Sequence, residues 1–476
     1  MEIARITADI CVIGGGPAGS TAACRLASFG YRVCLLERDA VPEARSGASL
    51  PSSILPLLEV IGVRDRLERA GFLRPERIVV WWADARPSVR SLPGLPGFHV
   101  DRCRFDDILL RNAEAGGVMV LRPAHAMSPQ RLHGGGWQIP VRHDGSRKEI
   151  VATFLVDAAG SRALLPGRRI RSSAPLLSLF AHWHAPDRKQ VEGCVEAGDN
   201  MWLWYAPLGS GKSVAAVFID PKLLSGRSRT NIEGIYFDLL RRFRLFREDE
   251  AGRIAGEVAA CDASSRHAEH AAGPDFVRVG DANLTLDPLS AQGIQSAVVS
   301  GLQAAVVINT LAKHPAHAAD AITFYKDRQT EKVSQHTASA AAFYQERAAV
   351  TGGPFWQQRA AAAVRDIAPP PLETRRLEPA CRIELSKLSR IESMPVMQGD
   401  MIASTPALCH AALDRPVAFL SEVELVPLLR QIRSDETAGS IVQAWSDRMS
   451  PDLGRNMLQW LWDRRIVVAV ADSPRT

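Results

Sequence analysis

The sequence predicts an α/β fold in which a parallel sheet covered by helices carries an inserted antiparallel sheet and is followed by a small α-rich domain. Three observations predict it. A strand, a glycine-rich turn, a helix and a second strand follow one another within residues 8–37, which is the pattern of a parallel βαβ unit. Residues 170–262 alternate strand-like runs with loops, as in an antiparallel sheet. Prolines at 369–371 then interrupt regular structure and set off residues 377–476.

Length and composition agree with two or three domains. The chain has 476 residues, 46% of them hydrophobic and 23% charged, and a domain holds about 150 residues. This apolar fraction excludes a wholly disordered chain. Fifty-seven lysines and arginines face 52 aspartates and glutamates, and within 377–476 the balance is 11 against 13. So mild a charge argues against a nucleic-acid partner, because phosphate contacts need a positive surface.

The cysteines and the N-terminal residues indicate a reducing compartment. The eight cysteines form no CxxC pair and no zinc spacing, so we expect free thiols rather than disulfides or a metal centre. The first residues lack signal-peptide architecture, and no run of about 18 apolar residues indicates a membrane span. The sequence therefore predicts a cytoplasmic protein without a membrane partner.

The glycine-rich turn carries the first chemical motif, Gly14-x-Gly16-x-x-Gly19, with Glu37 at the end of the second strand. The first glycine allows a tight turn, the second lets the backbone approach a pyrophosphate, and the third lets helix and strand pack closely. Free N–H groups at the helix start attract phosphate, and an acidic residue about 20 positions on binds ribose hydroxyls. This pattern predicts a Rossmann-type dinucleotide site with contacts from Gly14, Gly15, Gly16, Pro17, Ala18, Gly19, Glu37 and Arg38.

A second motif follows the short strand at 277–279. Gly280 and Asp281 end the strand, Asp287-Pro288 follows, and Gly293 opens a long helix. The carboxylate at 281 is placed to meet ribityl hydroxyls, and the helix dipole is placed to stabilise negative charge on a reduced flavin ring. Together the two motifs predict FAD as the cofactor. The second motif adds the contacts Gly280, Asp281, Pro288, Gln292, Gly293 and Ile294.

The pairing of the motifs resembles the FAD-dependent aromatic hydroxylase superfamily, and shorter stretches narrow the resemblance to its halogenase-like branch. Residues 46–51 are similar to a GESLPP segment, with Ala48 in place of glutamate, and residues 100–106 are similar to an arginine-containing segment of that branch. Residues 156–160 are similar to a DASG strand end, and residues 287–293 to a DPxxSxG loop with one extra residue. Residues 202–207 are similar to a WxWxIP signature, and residues 355–359 to a late helix motif of the same branch. The resemblance covers roughly residues 6–365 and implies further cofactor contacts from Ser49 and Arg102.

The resemblance also implies the domain plan. The FAD-binding domain takes residues 1–75, 100–165 and 270–365, and the inserted antiparallel-sheet substrate domain takes 76–99 and 166–269.

Residues 377–476 form the remaining domain. Three patterns predict the starts of three short helices: a Ser421-x-x-Glu424 capping box, Thr437, and Ser450 before Pro451. The first of these helices is predicted to kink at Pro427. A strand at 466–470 follows, and the set predicts a winged-helix-like module.

The resemblance also bears on whether the enzyme halogenates or hydroxylates its substrate. Related phenol halogenases carry an essential lysine in a segment like GFxxKxGxxFxW, and residues 71–82 match that segment with Pro75 at the lysine position. Arg74 and Arg77 lie close, but a guanidinium stays protonated and does not carry a halogen as a neutral amine does.

The resemblance therefore implies a monooxygenase that hydroxylates an aromatic ring through a flavin C4a-hydroperoxide. O2 is the co-substrate, and NAD(P)H or a separate flavin reductase supplies the electrons. A flavin-dependent tryptophan or phenol halogenase and an isoprenoid-type flavin reductase stay as alternatives.

The C-terminal module resembles peptide-recognition elements of enzymes that modify ribosomally made peptides. The whole architecture is similar to the flavoprotein monooxygenases of tryptophylquinone biogenesis, which mature quinohemoprotein amine dehydrogenases by hydroxylating a peptidyl tryptophan. This resemblance implies a protein or peptide substrate that bears a tryptophan. A stabilising lid or a dimerisation module is the other interpretation of the module, and the oligomeric state stays open.

Histidines give the candidates for acid–base work. The pairs His182/His184 and His267/His270 lack the context of a third ligand, so no metal site is predicted. No catalytic residue is assigned with a definite role, and His184 and His267 are the candidates for an acid or base in the substrate cavity.

Two other patterns have structural interpretations. Residues 209–213 imitate the end of a phosphate-binding loop, but the required first glycine would fall at Ala206. The tryptophans at 81, 82, 202 and 204 alternate with apolar residues and are predicted to lie in the core, with an aromatic substrate cavity as the alternative.

Overall fold

The computed structural model describes residues 4–40, 47–84, 86–91, 97–184, 192–225, 231–246, 252–361 and 376–470. The proline run at 369–371 lies outside these residues, so the predicted domain boundary there stays a prediction. The chain divides into two compact units. The first comprises Met1–His314 and Tyr325–Val364, and the second comprises Pro315–Phe324 and Arg365–Thr476.

The first unit mixes strands and helices along its whole length. Its strands are β1 (Ala4–Ile13), β2 (Val33–Leu36), β3 (Ala48–Leu50), β4 (Arg77–Trp81), β5 (Ser88–Ser91), β6 (Phe98–Val100), β7 (Met119–Leu121), β8 (Ala124–Ala126), β9 (Gln130–Arg131), β10 (Trp137–His143), β11 (Ser146–Asp157), β12 (Arg169–Arg171), β13 (Leu177–His184), β14 (Gly193–Ala197), β15 (Met201–Gly209), β16 (Lys212–Ile219), β17 (Arg253–Ile254), β18 (Ala259–Asp262), β19 (Arg266–Ala268), β20 (Phe276–Arg278) and β21 (Leu284–Thr285). The helices up to residue 360 are α1 (Pro17–Ser28), α2 (Leu55–Val60), α3 (Arg64–Arg69), α4 (Arg102–Ala115), α5 (Ile232–Leu240), α6 (Gly293–Lys313), α7 (Ala318–Thr351) and α8 (Pro354–Ala360).

The first sheet holds the predicted βαβ unit. Its order is β7-β2-β1-β11-β10-β8, with β20 also paired to β11 and β9 to β10. β1 pairs in parallel with β2 and β11, since α1 carries the chain back along the sheet between β1 and β2. Ile10, Cys11 and Val12 are fully buried, as expected for a parallel sheet covered on both faces. The predicted strand–helix–strand order is confirmed.

Helix α6 lies in the core of this unit, against α1. A Cβ at Gly301 would lie 2.6 Å from the carbonyl oxygen of Ala18, so only glycine lets the two helices approach this closely. By length and composition α6 passes as a membrane-span candidate, but 72% of its most apolar window is buried inside the protein. The core helix of a globular unit explains both observations.

The second sheet is the inserted one, in the order β17-β13-β16-β15-β14-β4-β5 with β18 paired to β13. β13, β16, β15 and β14 pair antiparallel, while β14 and β4 are parallel. Helix α5 contributes to a core on one face, where the Trp183 indole donates a hydrogen bond to the Tyr236 hydroxyl at 3.1 Å. Residues 209–212 form the β15–β16 hairpin turn, with Ser210 at φ 53°, so they do not open a helix as a phosphate-binding loop does.

Aromatic side chains fill the other face of this sheet. Trp82 meets Trp202 and Trp356 edge-on, with ring centroids 6.4 and 5.4 Å apart, and Trp202 stacks on Phe218 at 3.8 Å. Trp82 and Trp202 are buried, and Trp81 and Trp204 are half-buried against the two cores. The prediction that these tryptophans belong to the core is confirmed for Trp82 and Trp202.

The second unit combines short strands with short helices in its described residues. Its strands are β22 (Ile383–Leu385), β23 (Arg390–Gln398), β24 (Met401–Cys409), β25 (Phe419–Leu420), β26 (Val423–Glu424) and β27 (Val467–Ala469), and its helices beyond residue 376 are α9 (Leu425–Leu429), α10 (Ala438–Ala444) and α11 (Pro451–Asp463). Thr437 caps α10, and Ser450 caps α11 with Pro451 in its first turn, both as predicted. The predicted terminal strand is also present and pairs with β22.

Two features of this unit differ from the sequence prediction. Ser421 and Glu422 adopt positive φ angles of 49° and 66° and form the turn between β25 and β26, so the predicted capping box at 421–424 is wrong. Helix α9 begins only at Leu425 and spans five residues with Pro427 inside it, which leaves no longer helix to kink. The β23–β24 hairpin was not predicted.

Candidate functional site

The glycine turn between β1 and α1 has room for backbone only. A Cβ at Gly14, whose φ is 109°, would lie 2.2 Å from the carbonyl oxygen of Ala158. A Cβ at Gly19 would lie 1.9 Å from the carbonyl oxygen of Gly14. No side chain caps α1 after Gly16, and its first turn holds Pro17 and no acidic residue. The backbone amides at this helix start are therefore presented to an anion from outside the chain.

Glu37 lies directly against this turn. Its Oε2 accepts the N–H of Gly15 at 2.6 Å, and its Oε1 accepts the N–H of Asp39 at 3.0 Å. Two backbone donors thus fix the carboxylate at the end of β2, beside the turn, where a ribose follows a pyrophosphate. The neighbouring Arg38 pairs with Asp39 at 2.8 Å, so its charge is engaged within the chain.

The second predicted motif lies against the first. A Cβ at Gly280, whose φ is 54°, would lie 2.8 Å from the Cβ of Ala18, and the Gly280 N–H donates to Ser300 Oγ at 2.9 Å. Asp281 is exposed at this point, and Arg169 donates to its carbonyl oxygen at 2.6 Å. The charge of Asp281 acts on Arg102 at the start of α4, so the fold brings the two residues together.

The loop 287–292 delivers the start of α6. Asp287 accepts the N–H of Leu289 at 3.0 Å and thereby caps the short 3₁₀ turn 288–290, which contains Pro288. Ala291 adopts φ 51°, and α6 then begins at Gly293 without a side-chain cap from Gln292. A Cβ at Gly293 would meet no atom within 4 Å, so open space lies in front of this helix start.

Ser49 and Ile294 complete the predicted set. Ser49 pairs with His99 across β3 and β6, and Ile294 is buried in the first turn of α6. Ser53 follows β3 and receives a hydrogen bond from the Gln295 amide at 3.1 Å, which ties the β3 segment to the α6 start.

These residues fit FAD. Two helix N-termini without side-chain caps, a glycine cradle that a Cβ would fill, and a carboxylate against that cradle are the donor set a dinucleotide needs. The described residues contain no group of three metal-ligating side chains.

A buried cluster that sequence reasoning missed lies behind this loop. The Tyr344 hydroxyl donates to the Asp287 carboxylate at 3.1 and 3.2 Å, and the Arg359 guanidinium acts on both. Burial raises the pKa of Asp287 to about 6 and raises that of Tyr344 well above its usual value. Arg359 is 2% exposed, donates to the carbonyl oxygens of Phe355 and Pro175, and leaves its Nε without a partner in the described part of the chain.

The cluster borders a small cleft between β21 and α7 with a cavity volume of about 20 Å³. The walls of the cleft are apolar and are formed by Leu284, Leu286, Val333 and Ala340. His336 adds an imidazole, and burial lowers the pKa of that ring. The motif at 287–293 signalled Asp287, but no signal in the sequence connected it to Tyr344.

The two candidate histidines, His184 and His267, differ in their surroundings. His184 is exposed at the end of β13, with Lys212 and Arg253 as its strand partners. His267 lies in β19, where burial and the charge of Arg169 lower its pKa, and its Nδ1 has no partner among the described residues. Because Arg169 also reaches Asp281, the fold brings His267 close to the second flavin motif.

His99 is a further buried imidazole. Its Nδ1 lies 3.1 Å from the carbonyl oxygen of Pro207, and burial lowers its pKa to about 4, so the ring is neutral at physiological pH. It joins β6 to the end of the tryptophan-rich strand β15.

The segment that resembles the halogenase lysine segment is held by ion pairs. Arg74 lies 3.6 Å from Glu68 and over the ring of Phe98, and Arg77 pairs with Glu192. Both guanidinium groups near Pro75 are therefore already paired with carboxylates of the chain.

Residues 7–169 match the family model described as an FAD binding domain. This region is an FAD-binding domain. Over 337 residues the chain is 30% identical to the tryptophan 2-halogenase of Chondromyces crocatus, a match that takes in 67% of this chain and 64% of that enzyme's own length. The prediction of a flavin-dependent enzyme with FAD as cofactor is confirmed, as is the resemblance to the halogenase-like branch of flavin monooxygenases.

Two solved structures cover nearly the whole chain. QhpG, described as a peptidyl tryptophan dihydroxylase essential for tryptophylquinone cofactor biogenesis, has a TM-score of 0.74 and 26% identity, over 96% of this chain and 99% of QhpG. CmlS, a flavin-dependent halogenase, has a TM-score of 0.80 and 18% identity, over 99% of this chain and 97% of CmlS. The predicted fold class is confirmed. Because both folds extend over the C-terminal unit, that unit alone does not separate hydroxylases from halogenases.

Proposed function

We propose that this chain is an FAD-dependent monooxygenase that hydroxylates the indole ring of a tryptophan held in a protein or peptide. The observation that carries the choice is Pro75 at the position of the halogenase lysine, between two arginines that already pair with Glu68 and Glu192. An arginine there stays charged and does not take the place of a neutral amine. The similarity to QhpG over both chains supports the peptidyl tryptophan as substrate and tryptophylquinone biogenesis as its purpose.

The cofactor residues act by binding and orientation. The glycine turn and the start of α1 would hold the pyrophosphate, Glu37 would hold the ribose, and Asp281 would meet the ribityl chain. Arg102, on which the charge of Asp281 acts, and Ser49, the strand partner of His99, would add contacts. When bound and reduced, FAD would supply the chemistry that activates O2 and transfers one oxygen atom to an electron-rich ring. NAD(P)H or a separate reductase supplies the electrons in this proposal.

The loop before α6 fixes the part of the site where the flavin ring would bind. Tyr344 holds the Asp287 carboxylate, which caps 288–290 and so fixes the open start of α6. The positive end of the helix dipole would then lie at the pyrimidine edge of a bound flavin and favour negative charge on it. Asp287 also holds or releases a proton close to neutral pH, since burial raises its pKa to about 6.

Halogenation is the second candidate, and one observation besides the identity to the tryptophan 2-halogenase favours it. Lys332 on α7 has a pKa lowered by burial, and it lies close enough to His336 for its charge to lower the pKa of that imidazole. His336 lines the cleft beside Asp287. A lysine that loses its proton more readily is the kind of amine that halogen transfer requires.

Single-turnover incubation separates the two functions. Chemically reduced, FAD-loaded protein is mixed with O2, chloride and a panel of peptides that each contain one tryptophan, with free tryptophan in parallel. The proposal predicts oxygen added to a peptide and no product from free tryptophan. Chlorine on any of them in place of oxygen refutes the proposal. The Lys332→Met variant is expected to keep the oxygenation, whereas halogenation through that lysine would be lost. A cytoplasmic location stays a prediction.

A further inference from the structure

The C-terminal unit contains a cleft of its own. It encloses about 510 Å³ and is lined by the segments on either side of the β23–β24 hairpin, at 387–390 and 409–416. This volume falls in the range of about 300–1,000 Å³ that ligand sites occupy. None of its lining residues belongs to the flavin motifs.

His410 forms part of one wall of this cleft. Its Nδ1 accepts the N–H of Ala412 at 3.1 Å, which holds the ring against the backbone. Its Nε2 has almost no accessible surface, so the cleft offers a ligand its cationic side chains rather than this nitrogen.

The charges that line the cleft favour an anion. Lys387, Arg390 and Arg415 line the cleft against a single lining carboxylate, Asp414. Arg390 also lies 3.7 Å from Glu392, which leaves the other two cations as the main positive groups. The local excess of cations stands out because residues 377–476 carry more acidic than basic side chains. Cations that line one cleft complement a carboxylate.

Apolar side chains extend the cleft toward the hairpin. Leu388 is 70% exposed and Ile391 is 40% exposed, next to the cationic groups. Strand β23 pairs with β24 on one side, and its other edge pairs with no strand that the structure describes. An open strand edge beside apolar and charged pockets is the surface that an extended peptide uses when it adds a strand.

We propose that this cleft binds an extended, acidic segment of a peptide, with a carboxylate at Lys387 and Arg415 and an apolar neighbour on Leu388. The proposal deepens the proposed function, on which it rests: the bound segment belongs to the peptide substrate and lies apart from the tryptophan that is modified.

Binding is tested without turnover, on the full FAD-loaded chain. The probe is a fluorescein-labelled peptide of alternating glutamate and leucine, followed by fluorescence anisotropy. The matched probes replace every glutamate with glutamine or with lysine. The proposal predicts binding of the acidic probe that weakens as salt rises, and at least about tenfold weaker binding of the other two. Tighter binding of the lysine probe, or of a single-stranded oligonucleotide, overturns it.

Variants assign the binding to the cleft. Arg415→Glu and Lys387→Glu are each expected to weaken binding of the acidic probe by about tenfold or more. Arg448→Glu is the control, since Arg448 is exposed in the same unit and does not line the cleft. Unchanged thermal unfolding and flavin content show that each variant is folded. Equal losses in Arg448→Glu and Arg415→Glu overturn the proposal. Binding by a chain that oxygenates no peptide would refute the proposed function and leave the acidic-peptide site in place.

Discussion

The buried carboxylate of Asp287 makes the stability of the chain depend on pH in a defined way. Its pKa is raised from 3.8 to about 6 by burial, despite the hydrogen bonds from Leu289 and Tyr344 that favour the ionised form. A group whose pKa is raised on folding stabilises the fold at low pH, and this stabilisation is lost as the pH rises through the folded pKa. With one pKa unit worth about 1.36 kcal/mol, the free energy of unfolding should lose about 2 kcal/mol from this group between about pH 4 and pH 7.

Asp287→Asn removes that titration and keeps the shape of the side chain. We expect the difference in unfolding free energy between wild type and Asp287→Asn to change by about 2 kcal/mol across this range, in favour of the variant at the higher pH. Urea unfolding of the FAD-loaded chain at several pH values, with FAD in excess, measures it. Tyr344→Phe is the matched control: it loses the hydrogen bond that favours the carboxylate, so the transition should move to higher pH. Parallel curves for wild type and Asp287→Asn would refute the argument.

Three further predictions concern the flavin site, the packing of α6 against α1, and Lys332. Glu37→Ala and Asp281→Ala should each lower the flavin-to-protein ratio after gel filtration, because each removes a carboxylate placed for sugar or ribityl hydroxyls, whereas Glu114→Ala on the exposed side of α4 should not. Gly301→Val should lower the midpoint of thermal unfolding by an amount equivalent to about 1–3 kcal/mol or more, since its Cβ would lie 2.6 Å from a backbone carbonyl of α1. Lys332→Met should leave peptide oxygenation intact in the single-turnover assay, whereas a chlorinated product that disappears in this variant would support halogenation through that lysine. Normal flavin content in Glu37→Ala and Asp281→Ala would refute the site assignment.

The flavin motifs were predictable because each is local. The glycines of 14–19 satisfy a turn that has room for no Cβ, and Glu37 ends the very next strand, so one short segment contains the whole geometry. The parallel pairing of β1 with β2 was predictable as well, because a helix that connects two adjacent strands of one sheet makes them parallel.

The cluster behind the loop was not predictable for the opposite reason. Asp287 and Tyr344 are 57 residues apart, and Tyr344 sits within the long helix α7 with no cap, turn or motif around it. Only the packing of α7 against the loop brings them together.

The β23–β24 hairpin shows two local signals in conflict. Gly399, with φ 61°, marks a turn, but Pro395 and Pro406 fall inside the flanking runs and disfavour strands. The structure forms a two-stranded hairpin from these runs. In a two-stranded hairpin each strand has a free edge, so a proline, which has no N–H to donate, can be accommodated there.

The central claim is oxygen transfer to a peptide-bound tryptophan, and mass analysis of the peptide tests it most directly. Reduced, FAD-loaded protein, isotopically heavy O2, chloride and a tryptophan-containing peptide are incubated together, and the intact and fragmented peptide masses are measured. The account predicts heavy oxygen on the tryptophan side chain. Chlorine on that side chain, or oxygen that carries the isotope of the solvent, would contradict it.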